Sequence, residues 1–305
     1  MTQSTLDIYM RFFGLAERPF TLTPDPRFLY WSDYHRRAFA MLEYGLLTRA
    51  PITLLTGEVG AGKSTLLFHL LARVGPELRV GLVSNAHGNR GELLHWVLQA
   101  LDITPDAASG ADESYVRMFG RFQDFLIAEY AAGRRVALIF DEAQNLDRDT
   151  LEELRMLTNI NSGSNELLQL ILVGQPELRA MIRQPSLRQF AQRVAASVHL
   201  PAMDKETVDA YLRHRLARVG AETQIFSPEA SALIAKVTGG VPRLINQLAD
   251  LALLYAYTRE QRTVEQATVQ QVLDDGTFLG VRSFEVAETE TAATTPPASA
   301  RLKTE

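Results

Sequence analysis

Cysteine is absent from the 305 residues of the chain. Its absence excludes a disulfide framework, a thiolate metal site and a cysteine nucleophile, and it fits a reducing compartment. A global excess of basic residues is also missing, since the formal net charge is -5, so overall charge does not indicate a nucleic-acid partner. No stretch reaches the roughly 18 uninterrupted apolar residues of a membrane span, and no signal-peptide pattern opens the chain. We therefore expect no transmembrane segment and a cytoplasmic location.

Short apolar runs alternate with amphipathic stretches up to Leu200. The runs are apolar almost throughout, which favours an α/β fold with a parallel sheet covered by helices on both faces. After Pro201 no strand-like run remains, and the segments that follow have helical spacing, so a small all-helical second domain is expected. The predicted domain limits are 1–35 for an aromatic and proline-rich strap, 36–200 for the core, 201–282 for the helical domain and 283–305 for a disordered tail.

A phosphate-binding loop is predicted between the first apolar run and the helix after it. The stretch GEVGAGKS matches the pattern GxxxxGK[ST] in the strand-to-helix context that this pattern requires. Its glycines allow backbone N–H groups to turn towards a β-phosphate, and the helix N-terminus adds partial positive charge. Lys63 would reach the β- and γ-phosphates, and Ser64 would bind Mg²⁺. The predicted nucleotide-binding residues are Gly57, Glu58, Val59, Gly60, Ala61, Gly62, Lys63, Ser64 and Thr65.

An acidic pair follows the apolar run VALIF. Asp141 would hold the Mg²⁺ shell, while Glu142 would orient and polarise the attacking water, because phosphoryl transfer depends on positioning and charge stabilisation. The chain has no NKxD motif to recognise guanine, and a further strand separates the acidic pair from the phosphate-binding loop. These features favour ATP as the nucleotide and Mg²⁺ as the metal.

Several further positions are candidates for roles at this site. Gln175 ends the run LLQLILVG, where it would contact the γ-phosphate or the attacking water, or simply end the strand. The row of arginines that includes Arg188 and Arg193 is either a solvated helix face or the source of an arginine for the γ-phosphate of a neighbouring subunit. Arg243 opens a helix of the second domain and would report the γ-phosphate to that domain. His35 and the aromatic residues near it would frame the adenine or pack the strap.

The motifs TGEVGAGKST, DEAQ, GQPEL, LRQFAQRV, HLPAM and GGVPRLIN occur in the order in which they resemble an AAA+ ATPase of the ORC-like clade. The opening FFGLAERPFTLTPDPRFLYWSDYHRRAFAMLEYGL is similar to the general secretion pathway protein A (ExeA) family, over about residues 9 to 275. The resemblance implies a five-stranded αβα core, a helical lid and oligomers with ATP sites at subunit interfaces.

The same resemblance implies a role for each site residue. Lys63 and Ser64 would belong to Walker A, and Asp141 and Glu142 to Walker B. Gln175 would be sensor 1 and Arg243 sensor 2. The arginine finger would be Arg193 or Arg188, with Arg193 favoured because it directly precedes the last core strand.

Two functions follow as hypotheses. The first is a Mg²⁺-dependent ATPase whose hydrolysis switches a homo-oligomer that serves an envelope secretion, pilus or exopolysaccharide export system, at the inner membrane through a partner. The second is an ATP-dependent, DNA-binding regulator of transposition. The second requires basic clusters such as Arg213, Arg215 and Arg218, or Arg134 and Arg135, to line one surface.

Overall fold

The computed structural model describes residues 8–84, 92–104, 113–162 and 165–281. The predicted tail at 283–305 lies outside the described residues. The chain forms two compact units, a sheet unit of residues 23–202 and a helical unit that joins residues 1–22 with residues 203–305. The first part of the predicted strap therefore belongs to the helical unit and the rest to the sheet unit.

The strands of the described residues all lie in the sheet unit. They are β1 (Ile52–Gly57), β2 (Leu78–Val83), β3 (Arg135–Phe140), β4 (Asn161–Ser162), β5 (Asn165–Glu166), β6 (Leu168–Gly174) and β7 (Val194–Leu200). Five of them form one sheet in the order β2-β3-β6-β1-β7 with every neighbouring pair parallel, whereas β4 and β5 form a separate antiparallel pair. The predicted α/β fold with a five-stranded parallel sheet is confirmed.

The α-helices of the described residues fall in both units. They are α1 (Ile8–Phe13), α2 (Asp33–Leu47), α3 (Lys63–Leu71), α4 (Leu93–Ala100), α5 (Tyr115–Ala131), α6 (Arg148–Leu157), α7 (Pro176–Ile182), α8 (Arg188–Arg193), α9 (Lys205–Arg218), α10 (Pro228–Thr238), α11 (Pro242–Thr258) and α12 (Gln266–Asp274). Their starts follow from local chemistry: the Ser32 hydroxyl accepts from the backbone N–H of His35 at 3.3 Å to cap α2. Ser227 caps α10 in the same way, and Pro228 occupies the first turn. None of the described helices has both the length and the apolarity that a membrane crossing requires.

Two apolar clusters cover the two faces of the sheet. Alternate residues of the central strands point to opposite faces, so Leu170 and Leu172 of β6 join one cluster, while Ile171 and Val173 join the other. The first cluster contains residues of α4 to α8, and the second contains residues of α2 and α3. Because both faces are buried, the central strands β1, β3 and β6 are mostly apolar instead of alternating, as the sequence indicates.

The helical unit contains α9 to α12 and is completed by the residues at the start of the chain. Arg215 is buried on α9 and donates through Nε to the carbonyl of Pro19 at 2.6 Å. Asn246 on α11 donates to the carbonyl of Thr21 at 3.2 Å, and Asp250 accepts from the Tyr9 hydroxyl at 2.6 Å. Residues 8–22 are therefore part of the core of this unit.

The turn between α10 and α11 requires glycine. Gly239 and Gly240 have φ of 58° and 74°, in the left-handed region that favours glycine. A Cβ at position 240 would lie 1.8 Å from the carbonyl oxygen of Met203, whose N–H donates to the Gly240 carbonyl at 2.9 Å. The GG pair of the GGVPR motif is thus explained by backbone geometry within the helical unit.

Replacing Phe20 by Ala is expected to lower the free energy of unfolding of the helical unit by about 3–5 kcal/mol, the usual cost of truncating a buried aromatic side chain. Phe20 is 1% exposed, and its ring lies edge-on to Phe226 with 5.9 Å between the centroids. Both tryptophans of the chain, Trp31 and Trp96, belong to the sheet unit. In urea unfolding followed by circular dichroism, the transition of the helical unit should therefore move to a lower urea concentration. The transition followed by tryptophan fluorescence reports on the sheet unit and should stay at the wild-type urea concentration.

The matched control is Leu22→Ala, because Leu22 lies in the same segment but is 49% exposed. Its effect should stay within about 0.5 kcal/mol, as is usual for surface positions. If Phe20→Ala unfolds at the wild-type urea concentration in both signals, residues 8–22 do not stabilise the helical unit.

Candidate nucleotide-binding site

The predicted site residues of the sheet unit follow three neighbouring strands. β3, β6 and β1 lie side by side in the sheet and run parallel. Asp141 and Glu142 follow the end of β3, Gln175 follows β6, and the phosphate-binding loop follows β1. The strand order therefore brings all three motifs to one edge of the sheet, at the carboxyl ends of the strands, where ligands of open α/β sheets bind.

The phosphate-binding loop, residues 57–64, depends on two glycines with left-handed backbone conformations. Gly60 has φ of 79° and Gly62 has φ of 94°, and α3 begins directly afterwards at Lys63. The first N–H groups of α3 have no partner within the helix and carry the positive end of its dipole. Ala61 is buried, Glu58 and Val59 are exposed, and Ser64 and Thr65 are half-buried. The loop has the backbone geometry that binds phosphate.

Lys63 is held against this loop. The side chain is 6% exposed, and its Nζ donates to the carbonyls of Gly57 at 2.8 Å and Glu58 at 2.9 Å. Burial lowers the pKa of Lys63, while the carboxylates of Glu142, Asp141 and Glu58 act in the opposite direction. The ammonium group therefore lies within the electrostatic reach of both residues of the acidic pair.

Ser64 and Asp141 bring two oxygen ligands together. The Ser64 hydroxyl donates to Asp141 Oδ2 at 3.3 Å, and Asp141 Oδ1 accepts from the backbone N–H of Glu142 at 3.0 Å. Burial raises the pKa of Asp141, and these two hydrogen bonds oppose the shift. The described residues contain no group of three or more His, Asp or Glu side chains that would hold a metal by themselves. The Ser64 hydroxyl and the Asp141 carboxylate are oxygen ligands of the kind that Mg²⁺ takes, since it typically uses one or two carboxylates together with substrate phosphates and waters.

Glu142 has a strained backbone and an amide-rich environment. Its φ of 55° and ψ of 37° are left-handed, which is uncommon for a residue other than glycine. Its Oε2 accepts from Gln175 Nε2 at 3.2 Å and from Gln144 Nε2 at 2.6 Å. The structure thus brings Glu142 and Gln175 together as predicted for one site, and it adds Gln144, which sequence analysis did not select.

His35 lies beside the phosphate-binding loop. The ring is 5% exposed, its Nδ1 lies 2.8 Å from the Ser32 hydroxyl, and its Nε2 would lie 3.3 Å from a Cβ at position 62. Burial lowers the pKa of His35, and a hydrogen bond with the backbone of Ala61 acts in the opposite direction. His35 therefore contacts the loop from α2, a contact that no sequence pattern indicated.

Arg193 and Arg188 lie away from this edge and have different environments. Arg193 donates through Nη1 to the carbonyl of Thr158 at 3.2 Å and to its hydroxyl at 2.9 Å, and through Nη2 to Asn159 Oδ1. Arg188 is exposed, and its side chain makes no hydrogen bond or ion pair within the described ranges. Arg193 directly precedes β7, whose first residue pairs with Ile52 at the amino end of β1.

The remaining predicted residues are Arg243 and the arginines of the two basic clusters. Arg243 is exposed in the first turn of α11, in the helical unit. Arg134 forms a bidentate ion pair with Glu129 through contacts of 2.6 and 2.8 Å. Arg213 pairs with Asp209, and Arg215 is buried. Most of these cationic groups therefore have intramolecular partners.

Known proteins resemble the chain in sequence. Residues 47–182 match the model of a family described as AAA domain. The chain is 39% identical over 278 residues to the General secretion pathway protein A of Aeromonas hydrophila, an alignment that covers 89% of the chain and 50% of that protein. The chain thus spans about half the length of this curated relative. The resemblance predicted from the motifs is confirmed, and the family match lies within the sheet unit.

Solved structures resemble it in fold. Cdc6p from Pyrobaculum aerophilum has a TM-score of 0.60 at 17% identity, with 84% of this chain and 68% of that chain covered. The Aeropyrum pernix ORC2 protein, solved as ADPNP-ADP complexes, has a TM-score of 0.56 at 20% identity, with 79% and 66% covered. At these identities the similarity shows the fold alone, which is that of the Cdc6p and ORC2 structures.

Proposed function

We propose that this AAA-domain protein is a Mg²⁺-dependent ATPase whose hydrolysis switches a homo-oligomer. The observation that carries the proposal is the meeting of Lys63, Ser64, Asp141, Glu142 and Gln175 at the carboxyl edge of three adjacent strands. In this set, Lys63 supplies a cation that can bind phosphate, and Ser64 and Asp141 supply two oxygen ligands for a metal. Glu142 and Gln175 supply a carboxylate and an amide that can bind a water molecule. Such a combination suits nucleotide hydrolysis better than nucleotide storage.

Each residue has a separate task in the proposed reaction. The loop amides and Lys63 bind and orient the β- and γ-phosphates, which requires the ammonium group to exchange the two loop carbonyls for phosphate oxygens. Ser64 and Asp141 would hold Mg²⁺, which when bound neutralises charge on the phosphates. Glu142 accepts a proton from the attacking water, and Gln175 orients the water or the γ-phosphate.

The biological setting of the proposed ATPase is an envelope secretion, pilus or exopolysaccharide export system. The supporting observation is the 39% identity to General secretion pathway protein A, whose name places that protein in a secretion pathway. We propose a cytoplasmic protein that reaches the inner membrane through a partner of that machinery. Purified protein whose DNA affinity depends on ATP and falls steeply with salt would instead support a regulator of transposition.

Replacing Lys63 by Ala tests the ATPase proposal. Loss of a hydrogen bond to a charged group is expected to weaken ATP binding by about 10- to 100-fold, and hydrolysis should fall to background. ATP affinity is measured by calorimetric titration. Hydrolysis is measured as phosphate release at an ATP concentration that saturates the wild-type protein. A suitable control is Lys205→Ala, because Lys205 is exposed at the start of α9 in the other unit. Unchanged ATP affinity in Lys63→Ala would rule out the proposed site.

A further inference from the structure

The Glu142 carboxylate is fixed through one of its two oxygens. Oε2 accepts from Gln144 Nε2 at 2.6 Å and from Gln175 Nε2 at 3.2 Å. No described residue donates a hydrogen bond to Oε1. A carboxylate held in this way has a defined direction, with one oxygen engaged and the other left to accept a proton from water.

Gln144 uses both ends of its side-chain amide. While Nε2 donates to Glu142, Oε1 accepts from the backbone N–H of Gln175 at 3.0 Å. Gln175 is the N-cap residue of α7, but its own side chain makes no capping hydrogen bond to that helix. The amide of Gln144 therefore links the carboxylate after β3 to the helix start after β6.

The backbone around Gln144 permits this contact. Glu142 adopts its left-handed conformation directly before a short 3-10 turn at Ala143–Asn145, which returns Gln144 towards the site. A Cβ at position 174 would lie only 3.0 Å from Gln144 Oε1 and 2.7 Å from a methyl carbon of Leu178. Glycine at position 174 thus allows the close approach of Gln144 to the end of β6.

We infer that Gln144 is a positioning residue for hydrolysis, which orients the Glu142 carboxylate and couples it to Gln175. The inference rests on the proposed function and adds a residue to it. Oε2 of Glu142 stays on the amides, so that Oε1 faces the water. Oε1 takes up a proton from the water as the water oxygen bonds to the γ-phosphorus, while the bond from the γ-phosphorus to the β,γ-bridging oxygen breaks and ADP leaves. Because Gln144 also bonds the Gln175 backbone, a shift of Gln175 towards phosphate moves Glu142 with it.

The test replaces Gln144 by Met, which has similar length but neither donates nor accepts a strong hydrogen bond. We expect kcat for ATP to fall about 10-fold or more, the scale of one lost hydrogen bond to a charged group, with ATP affinity unchanged. Gln144→Glu should reduce kcat further, because it places a second carboxylate against Glu142. The matched control is Asn145→Ala, since Asn145 belongs to the same turn but is exposed, and its kcat should stay within about twofold of wild type.

A double variant separates positioning from a structural effect. In the Glu142→Gln background, Gln144→Met should lower kcat by less than about twofold, because residues that act as a unit are not additive. An equal loss of kcat in both backgrounds, or a loss of ATP affinity that accounts for the loss of turnover, would overturn the inference.

A crystal structure of the Gln144→Met protein gives a readout that does not depend on hydrolysis. We expect the Glu142 carboxylate to leave its present position by more than about 0.5 Å, the tolerance within which catalytic groups are usually held. A carboxylate that stays in place on Gln175 would overturn the inference even if ATP is hydrolysed. If wild type and Lys63→Ala hydrolyse ATP equally poorly, the ATPase proposal fails, while this structure still decides the role of Gln144.

Discussion

An Arg193→Ala protein is expected to bind ATP as tightly as wild type and to hydrolyse it about 10³-fold more slowly, the lower end of the effect of an arginine finger. ATP binding should survive because the phosphate-binding loop is intact. Hydrolysis should fail because the γ-phosphate loses a positive charge that another subunit supplies. Equilibrium ATP titration and single-turnover phosphate release measure the two effects separately.

The sheet geometry explains why Arg193 would act on a neighbouring subunit. Val194 pairs with Ile52 at the amino end of β1, whereas the phosphate-binding loop begins at Gly57 at the other end. At about 3.3 Å per residue, the two ends of β1 lie roughly 16 Å apart. The guanidinium group is also held by Thr158 and Asn159 and is therefore preorganised, although the three bonds leave some of its five N–H donors for a ligand.

Mixing experiments distinguish action between subunits from a folding defect. Arg193→Ala mixed with Lys63→Ala should regain part of the activity, because one interface then combines an intact loop with an intact arginine. Neither variant should recover when incubated alone at the same total concentration. Arg188→Ala is tested in parallel, and the variant that is inactive alone but rescued by Lys63→Ala carries the finger.

Asn159→Ala controls for the contacts that Arg193 makes within its own chain. It removes the acceptor of Nη2 but keeps the arginine, so its ATP turnover should remain within about twofold of wild type. Wild-type activity in both arginine variants would mean that neither arginine acts on the γ-phosphate and that the site needs no arginine from a neighbour.

Glu142→Gln is expected to hold ATP with wild-type affinity and to hydrolyse it at least about 10²-fold more slowly, the scale of a lost general acid–base group. The amide keeps the size of the side chain and still accepts hydrogen bonds from Gln144 and Gln175, so the site should keep its shape. What disappears is the carboxylate that takes a proton from water.

The measurement is the ratio of ATP to ADP retained by the protein after a single mixing with Mg²⁺-ATP. Glu142→Gln should retain ATP, while wild type should retain ADP. Glu43→Gln is the control, because Glu43 is a solvent-accessible acid on α2. Turnover close to wild type in Glu142→Gln would show that another group activates the water.

The sheet and the loop that follows β1 could be predicted because their signals are local. A loop that must place glycines at φ near 79° and 94° leaves little choice at Gly60 and Gly62, and buried strands must be apolar on both faces. The order of the strands in the sheet could not be predicted from the sequence. It is that order, with β6 between β3 and β1, that puts Gln175 against Glu142.

Long-range contacts explain the other gaps in the prediction. The sequence shows Gln144 two residues after Glu142 in DEAQ, but its second bond goes to residue 175 across a strand boundary. Arg215 reads as part of a basic helix face, whereas its bond to Pro19 joins residues 196 positions apart. A glutamine or an arginine looks the same in a sequence whether its side chain is solvated or hydrogen-bonded within the fold. Hydrophobic periodicity indicates which face of an element is buried, but it does not indicate the partners of individual polar side chains.

The position of residues 8–22 in the helical unit has a consequence for synthesis on the ribosome. These residues emerge before the sheet unit, whereas their partners on α9 and α11 emerge only after the whole sheet unit, residues 23–202, has been translated. At the usual elongation rate of about 5–20 residues per second, this delay lasts roughly 10 to 40 s. During that time Phe20 has no helical unit to enter, so the nascent chain exposes an apolar segment until α9 and α11 have been translated.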